Sequence, residues 1–311
     1  LMSINWFPGG LHKAQKEHRA LIPEVDLVIE VLDARLPYSS QNPLLQKLRD
    51  NKPCIKILNK SDLADAELTG QWIAELQQDP TVKAYAVNTT DDALIKQVPA
   101  WCQAWFPERK INKKPIQVMI MGIPNVGKST LINIMADRGI AKTGNEAAVT
   151  KRQQRIKLPG NVILHDTPGV LWPRFDNQNS AYRLAVTGAI KDHVVEAEDK
   201  AFFAAEYLIK AYPGLLKNRF NLVDLPEEPH DLLVVMGQQR GALKAGGRVD
   251  LTRISSLFLN ELRLGQLGRV TMETPEMMHQ EKADVETQLR IKAEKQAARK
   301  SGFKSKSKKR N

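Results

Sequence analysis

The segment of residues 122–129, which reads Gly-Ile-Pro-Asn-Val-Gly-Lys-Ser, constrains the fold of this chain more than any other feature. It follows an apolar run at 116–121 and precedes an amphipathic segment at 130–136. A glycine-rich loop between a strand and a helix points successive backbone N–H groups toward one place, which suits an anion. In such a loop Lys128 reaches the β- and γ-phosphates as a candidate catalytic residue, and the Ser129 hydroxyl binds Mg²⁺. The pattern therefore predicts a phosphate-binding loop in an α/β fold.

A second motif on the next predicted strand belongs to the same site. Asp166-Thr167-Pro168-Gly169 follows the apolar run 162–165. The Asp166 carboxylate can hold Mg²⁺ at the strand end, and the Gly169 N–H can meet the γ-phosphate. Between the two motifs, Thr150 is suited to complete the Mg²⁺ shell as a candidate catalytic residue, and Thr143 is the competing candidate. The candidate nucleotide contacts of the phosphate loop are Asn125, Val126, Gly127, Lys128, Ser129 and Thr130.

The segment Asn59-Lys60-Ser61-Asp62, which ends the predicted strand 53–58, indicates the base that the site binds. The Asp62 carboxylate accepts two hydrogen bonds and so matches the N1–H and N2–H₂ edge of guanine. Adenine presents an acceptor there and would leave the carboxylate unpaired. Asn59 can bridge N7 of the base to the phosphate loop, and the aliphatic part of Lys60 can cover the base. The segment therefore predicts selectivity for GTP over ATP.

Asn88 and Thr89 close the predicted strand 82–87, and they allow two interpretations. They can supply further contacts to the base, or they can cap the N-terminus of a helix that begins near Asp91. The two interpretations are compatible with each other.

Apolar runs alternate with helical patterns through about residue 170, which is typical of a mainly parallel sheet with helices on both faces. The predicted strands are 25–32, 53–58, 82–87, 116–121 and 162–165, and the predicted helices are 42–50, 64–78, 91–105 and 128–136. After about residue 176 helical patterns dominate. We therefore expect an α/β nucleotide-binding domain at 1–175, a smaller all-α domain at 176–289 and a basic, disordered tail at 290–311.

The net charge of +11 belongs mostly to the end of the chain, because residues 290–311 hold ten basic residues against Glu294 alone. Such a tail suits a polyanion such as nucleic acid, and the alternative is a solvated end without a specific partner. Cys54 and Cys102 are typical of free thiols in a cytosolic protein. No apolar run reaches the roughly 18 residues that a membrane span needs. We expect a cytoplasmic monomer.

The order of the motifs differs from that of most GTPases, because the base-recognition segment 59–62 precedes the phosphate loop. A circular permutation moves the termini and keeps the sheet. With Asp33-Ala34-Arg35-Leu36-Pro37 on the first strand, this order resembles the circularly permuted GTPases, and the chain is most similar to the ribosome biogenesis GTPase A (RbgA/YlqF) family. The likeness extends to Trp6-Phe7-Pro8-Gly9, 241–247, 249–251 and Leu267-Gly268-Arg269.

The resemblance implies a protein that binds GTP and GDP with Mg²⁺, hydrolyses GTP and switches during assembly of the large ribosomal subunit. It implies that the helical domain contacts ribosomal RNA. It also implies a K⁺ ion at Asn125, whose alternative role is to shape the loop. Two positions bear on hydrolysis. The family's histidine after Phe-Pro-Gly, which is implicated in hydrolysis, is Gly10 here, and the residue after Asp166-Thr167-Pro168-Gly169 is the apolar Val170.

His12, which lies two residues after Gly10, is the candidate catalytic residue for orienting the attacking water. The alternative is that His12 is a surface residue and that the ribosome supplies the missing group. We expect slow intrinsic hydrolysis that ribosomal particles stimulate, because phosphoryl transfer depends on positioned water and on charge stabilisation. Two other functions stay open: a GTP-gated RNA-binding module that does not hydrolyse, and an RNA-linked GTPase with no role in ribosome assembly.

Overall fold

The computed structural model of the chain describes residues 3–4, 11–137, 154–169, 171–172 and 176–308. Within them the strands form a six-stranded sheet with the order β3-β2-β1-β4-β6-β5. The strands are β1 Leu27–Asp33, β2 Cys54–Asn59, β3 Val82–Ala86, β4 Ile116–Gly122, β5 Gln154–Leu158 and β6 Val162–Asp166. Neighbouring strands pair in parallel, except β5 and β6, which are antiparallel. The predicted mainly parallel α/β sheet is confirmed.

The central strands are buried along their whole length, and this burial explains their near-continuous apolar sequence. Every residue of β1 and β2 is buried, as expected for parallel strands covered by helices on both faces. The helices of this part are α1 Leu11–Leu21, α2 Leu45–Arg49, α3 Ala66–Leu76, α4 Asp92–Ile95, α5 Val98–Ala104, α6 Arg109–Asn112 and α7 Lys128–Ala136.

Two elements differ from the sequence prediction. The helix predicted at 91–105 is divided into α4 and α5, because Pro99 lies in the first turn of α5 and has no N–H to continue a preceding helix. Strand β5 is absent from the predicted strands because its sequence mixes polar and apolar residues instead of forming an apolar run. Only two of its five residues are buried. It pairs with β6 across a turn in which Gly160 and Asn161 both have positive φ, a conformation that favours tight hairpins.

The parallel register brings the three predicted motifs to one edge of the sheet. Asp33 at the end of β1 pairs with Asn59 at the end of β2. On the other side of β1, Val31 pairs with Gly122, where the phosphate loop begins. In β6, Asp166 pairs with a residue near the end of β4. The carboxyl ends of parallel strands are the usual position of ligand sites in such sheets.

A helical region follows the sheet. Its helices are α8 Gln178–Val186, α9 Ala197–Ala211, α10 Pro213–Phe220, α11 Pro229–Gln239 and α12 Leu251–Arg263. The expected boundary near 175 is not a division between compact units, because the chain separates into Leu1–Glu273 and Thr274–Asn311. Side chains explain the continuity: Ser39 after β1 hydrogen-bonds to Ser180 of α8 at 2.9 Å.

The second unit contains one long helix, α13 Pro275–Lys308. The disordered tail that we expected from residue 290 is therefore helical through 308, a correction to the sequence prediction. Apart from Ile291, residues 290–300 are all Arg, Lys, Ala, Glu or Gln, which have high helix propensity. Among the described residues no helix is long and apolar enough to cross a membrane.

Candidate nucleotide-binding site

The phosphate loop has the geometry that its glycines predict. Asn125 and Gly127 both have positive φ, at 60° and 92°, and α7 begins directly afterwards at Lys128. A Cβ atom built on Gly127 would overlap the amide of Asn59, so no larger residue fits this position. The turn therefore directs the N-terminus of a nine-residue helix, with its positive partial charge, toward the carboxyl edge of the sheet.

The base-recognition segment is bound directly to this loop. Asn59 Nδ2 donates to the carbonyl of Val126 at 2.8 Å, and Lys60 Nζ donates to the carbonyl of Asn125 at 2.7 Å. The Asn59 side chain is fully buried, and its Oδ1 has no hydrogen-bond partner. Burial lowers the pKa of Lys60. Two motifs that are more than 60 residues apart in sequence thus form one structure.

Lys128 and Asp166 meet as a buried ion pair between the phosphate loop and the end of β6. Burial lowers the pKa of Lys128, and the Asp166 carboxylate opposes that shift. The neighbouring Thr167 hydroxyl donates to the carbonyl of Ile120 at 2.8 Å. A Cβ atom built on Gly169 would lie 3.4 Å from Pro124 Cα, so the backbone of the second motif runs against the phosphate loop.

The far side of the base-recognition segment touches the end of β3. The Ser61 N–H donates to the carbonyl of Val87 at 3.1 Å, which brings Asn88 and Thr89 beside this segment. The N-cap of α4 is Asp91, whose carboxylate accepts from the helix backbone. The interpretation of Asn88 as the helix cap is therefore wrong, since its side-chain oxygen accepts from Thr90 instead.

Asp62 is exposed on the short 3-10 turn Ser61–Leu63. Close to it, Asp33 and Arg35 form a buried ion pair with 2.7 Å between Nη2 and Oδ2. Burial raises the pKa of Asp33, but the Arg35 guanidinium outweighs this effect and brings it to about 2. The Asp-Ala-Arg motif of the first strand thus keeps a fixed pair of charges beside the turn.

The N-terminal helix supplies a histidine that the sequence interpretation missed. His12 is exposed on α1. His18 is 3% exposed, and its Nε2 has no hydrogen-bond partner. Burial and then the positive charge of Lys128 lower the pKa of His18 to about 4. The sequence contained a pattern that predicts this burial, because His18 lies at helical spacing from the apolar residues Ala14 and Leu21, which are also buried.

Several predicted site residues lie outside the described residues: Thr150, the competing Thr143, Gly10 and Val170. Ser129 and Thr130 lie in the first turn of α7, half-buried. The described residues contain no cluster of three or more His, Cys, Asp or Glu side chains that could hold a metal. An oxygen-ligand site formed by one carboxylate, one hydroxyl and phosphate oxygens needs no such cluster, and it suits Mg²⁺.

Taken together, the sheet, the strand-end motifs and their order in the chain define a circularly permuted phosphate-loop GTPase. A protein-family model described as a 50S ribosome-binding GTPase matches residues 117–209. Ribosome biogenesis GTPase A of Bacillus cereus is 43% identical over 292 residues, which cover 92% of this chain and 98% of the relative. The protein of the same name from Priestia megaterium is 41% identical, with 88% of this chain and 98% of the relative covered.

A solved structure agrees with these relatives. The crystal structure of GNP-bound YlqF from T. maritima superposes with a TM-score of 0.59 at 26% identity, and the match covers 85% of this chain and 99% of that chain. The chain therefore belongs to the ribosome biogenesis GTPase A family. The class that the motif order predicted is confirmed.

Proposed function

We propose that this chain hydrolyses GTP and uses the bound nucleotide as a switch in assembly of the large ribosomal subunit. The observation that carries the nucleotide part is the binding of Asn59 and Lys60 to the phosphate loop, because it joins a guanine-selective segment to an anion site. The ribosomal part rests on relatives named ribosome biogenesis GTPase A. The proposed partners are precursors of the large subunit and their ribosomal RNA, and the proposed compartment is the cytoplasm.

On the phosphate side, the phosphate-loop N–H groups and Lys128 hold the β- and γ-phosphates. Lys128 would leave its ion pair with Asp166 to bind phosphate oxygens, and the Asp166 carboxylate would then be available to hold Mg²⁺. Ser129, Asp166 and, in the switch segment, Thr150 are the proposed Mg²⁺ ligands. Bound Mg²⁺ supplies charge neutralisation at the phosphates. The Gly169 N–H is the proposed contact that distinguishes GTP from GDP through the γ-phosphate.

On the base side, Asp62 accepts from guanine, and Asn59 donates to N7 while it holds Val126. Ser61, Asn88 and Thr89 complete the surroundings of the base. This division of roles gives guanine selectivity without any contact to the reacting phosphate.

Asn125 is the proposed K⁺ ligand. Its Nδ2 donates to the carbonyl of Gly188 at 3.0 Å, while its Oδ1 is buried without a hydrogen-bond partner. A buried amide oxygen without a partner costs free energy, and a bound cation removes that cost. The fit supports K⁺ beside Mg²⁺, and hydrolysis in KCl compared with NaCl at equal ionic strength tests it.

His12 is the proposed group that orients the attacking water. His12→Ala should lower hydrolysis stimulated by large-subunit particles by roughly tenfold or more, because unpositioned water forfeits much of the rate acceleration, and should leave nucleotide affinity unchanged. Single-turnover rates check this. His18→Gln is the matched comparison, since His18 is the buried histidine near Lys128. A rate loss in His18→Gln alone would transfer the role to His18.

Sedimentation with large ribosomal subunits and their precursors tests the proposed function as a whole. We expect co-sedimentation with a GTP analogue, weaker co-sedimentation with GDP, and faster GTP hydrolysis when the particles are present. Equal binding in both nucleotide states would contradict the switch. Nucleotide-dependent binding without hydrolysis would indicate the GTP-gated RNA-binding module instead.

A further inference from the structure

After α12 the chain returns to the sheet as an irregular segment, residues 267–273, which we call the strap. Most of the strap is buried although it contains no helix or strand: Leu267, Val270, Thr271, Met272 and Glu273 are each 4% exposed or less. Buried backbone groups need hydrogen-bond partners. The partners of the strap therefore show which part of the protein it holds in place.

The first partners lie in the base-recognition segment and in the two residues that follow it. Arg269 Nε donates to the carbonyl of Ala64 at 2.7 Å, and its Nη2 donates to the carbonyl of Ser61 at 2.9 Å. The Val270 N–H donates to the carbonyl of Leu63 at 2.9 Å. Two adjacent strap residues thus fix the backbone on both sides of the predicted base-binding carboxylate.

Thr271 connects the backbone just after the base-recognition segment to the helical region. Its Oγ1 accepts from the N–H of Asp65, the N-cap of α3, at 3.0 Å. Its carbonyl accepts from the hydroxyl of Tyr207 at 3.0 Å. The Tyr212 hydroxyl lies 3.2 Å from the same carbonyl and 3.0 Å from Asp65 Oδ2. Thr271 therefore links α9 to the N-cap of α3, two residues after the base-recognition turn Ser61–Leu63.

The base-recognition turn Ser61–Leu63 needs such support because it is only a single turn of 3-10 helix. Lys60 has a left-handed backbone, and a single 3-10 turn follows it. Asp62 is exposed, so its direction depends on the backbone of this turn rather than on packing of its side chain. A binding group is effective only when the residues around it fix its geometry.

We propose that Arg269 is a positioning residue for guanine recognition, and that through the strap it couples the base pocket to the helical region. This inference rests on the proposed nucleotide function. It predicts that loss of the Arg269 hydrogen bonds accelerates release of the nucleotide and weakens discrimination between bases. The hydrogen bonds of Arg269 go to the carbonyls of Ser61 and Ala64 rather than to the phosphate loop.

The experiment measures dissociation of fluorescent GDP and the ratio of affinities for GDP and inosine diphosphate, which lacks the 2-amino group. Arg269→Ala should release GDP about fivefold faster, since two hydrogen bonds from a charged donor are lost, and should lower the GDP preference. Arg269→Lys should lie between Arg269→Ala and wild type, because an ammonium group does not reproduce the two-pronged donor geometry of a guanidinium. Arg240→Ala is the control, an arginine of the helical region that pairs with Glu261.

A second arm tests the coupling to the helical region. Tyr212→Phe keeps the ring but removes the hydroxyl that bridges Thr271 and Asp65, and it should also accelerate GDP release. Wild-type release and wild-type base preference in Arg269→Ala would overturn the positioning role, as would an equal change in Arg240→Ala. Unchanged release in Tyr212→Phe would overturn the coupling. A wild-type protein that does not prefer GDP would instead refute the proposed base pocket.

Discussion

Four charged residues at the carboxyl edge of the sheet are held in two ion pairs. Lys128 with Asp166 and Arg35 with Asp33 are both buried ion pairs. Removing one member of a buried pair leaves an uncompensated charge, which typically costs about 3–5 kcal/mol. Variants of these residues therefore change stability as well as function, and the sharper tests at the residue scale use exposed or neutral groups.

Asp62 is such a group, because it is exposed and its predicted role is specific. Asp62→Asn replaces one acceptor oxygen with a donor. GTP affinity should fall roughly ten- to hundredfold, as expected for the loss of hydrogen bonds to a charged acceptor. Affinity for xanthosine triphosphate should rise relative to GTP, because xanthine has a carbonyl where guanine has its amino group.

Equilibrium titration with both nucleotides measures the change. Glu67→Gln serves as the matched control, because Glu67 is an exposed carboxylate in the first turn of α3 and lies outside the base-recognition segment. A wild-type preference for GTP in Asp62→Asn would remove Asp62 from the base pocket.

The buried His18 predicts a pH dependence of stability. Its pKa is about 4 in the folded protein, against 6.5 for an unperturbed side chain. Above pH 6.5 the ring is neutral in both states. As the pH falls from 6.5 toward 4, the unfolded chain binds the proton first, so the free energy of unfolding decreases by roughly 3 kcal/mol.

Urea unfolding of the nucleotide-free protein from about pH 7.5 down to about pH 4.5 measures this change in wild type and in His18→Gln. The decrease should be smaller in His18→Gln, because glutamine does not titrate. Parallel pH profiles for the two proteins would show that His18 does not contribute.

Among the individual elements, α13 places the basic residues of the chain's end along one long helix. Residues 290–308 lie in this helix, and basic residues are distributed along its sequence. The residues described between 279 and 300 are largely exposed. A helix of this composition presents its charges to a polyanion without the ordering cost of a disordered segment.

Deletion of residues 290–311 should therefore weaken RNA binding and flatten its dependence on salt. Each lost phosphate contact reduces the slope of log affinity against log salt by about 0.7–0.9. Binding to large-subunit RNA at several KCl concentrations measures the slope, with GTP affinity as the internal check.

A matched variant with Lys292, Lys295, Arg299 and Lys300 replaced by glutamine keeps the helix length and removes only charge. The same salt slope in wild type and in both variants would exclude the tail from RNA binding.

At the scale of the whole molecule, the sheet and the helical region form one compact unit, Leu1–Glu273. Glu273 is fully buried at their junction. Its carboxylate accepts from the backbone of Ser39, after β1, at 2.7 Å and lies 3.2 Å from Arg183 Nη1 in α8. Burial raises the pKa of Glu273, and Arg183 opposes that shift.

Because this junction is buried, we expect the two parts to unfold together. Native-state hydrogen exchange should show that amides in β4 and α12 lose protection with the same dependence on denaturant. Loss of protection in α12 well before β4 would instead support the two separate domains that the sequence patterns predict on either side of residue 175.

Local sequence patterns were enough to predict the class of the protein and most of its candidate site. The phosphate loop at 122–129, the second motif at 166–169 and the base-recognition segment at 59–62 are local patterns, each set by the hydrogen-bonding needs of a few adjacent residues. The alternation of apolar runs with helical patterns was sufficient to predict a mainly parallel sheet, because a buried strand and an amphipathic helix differ in period.

Features that depend on contacts between distant parts of the chain could be identified only in the folded structure. Strand β5 exists because β6 offers a partner across a hairpin, not because its own sequence is strongly apolar. His18 is an ordinary histidine in the sequence, and only the folded structure buries it near Lys128. The strap reaches the base-recognition turn across more than 200 residues of chain. Such contacts are fixed by packing of the whole unit, and a local pattern carries no information about which distant groups will satisfy its hydrogen bonds.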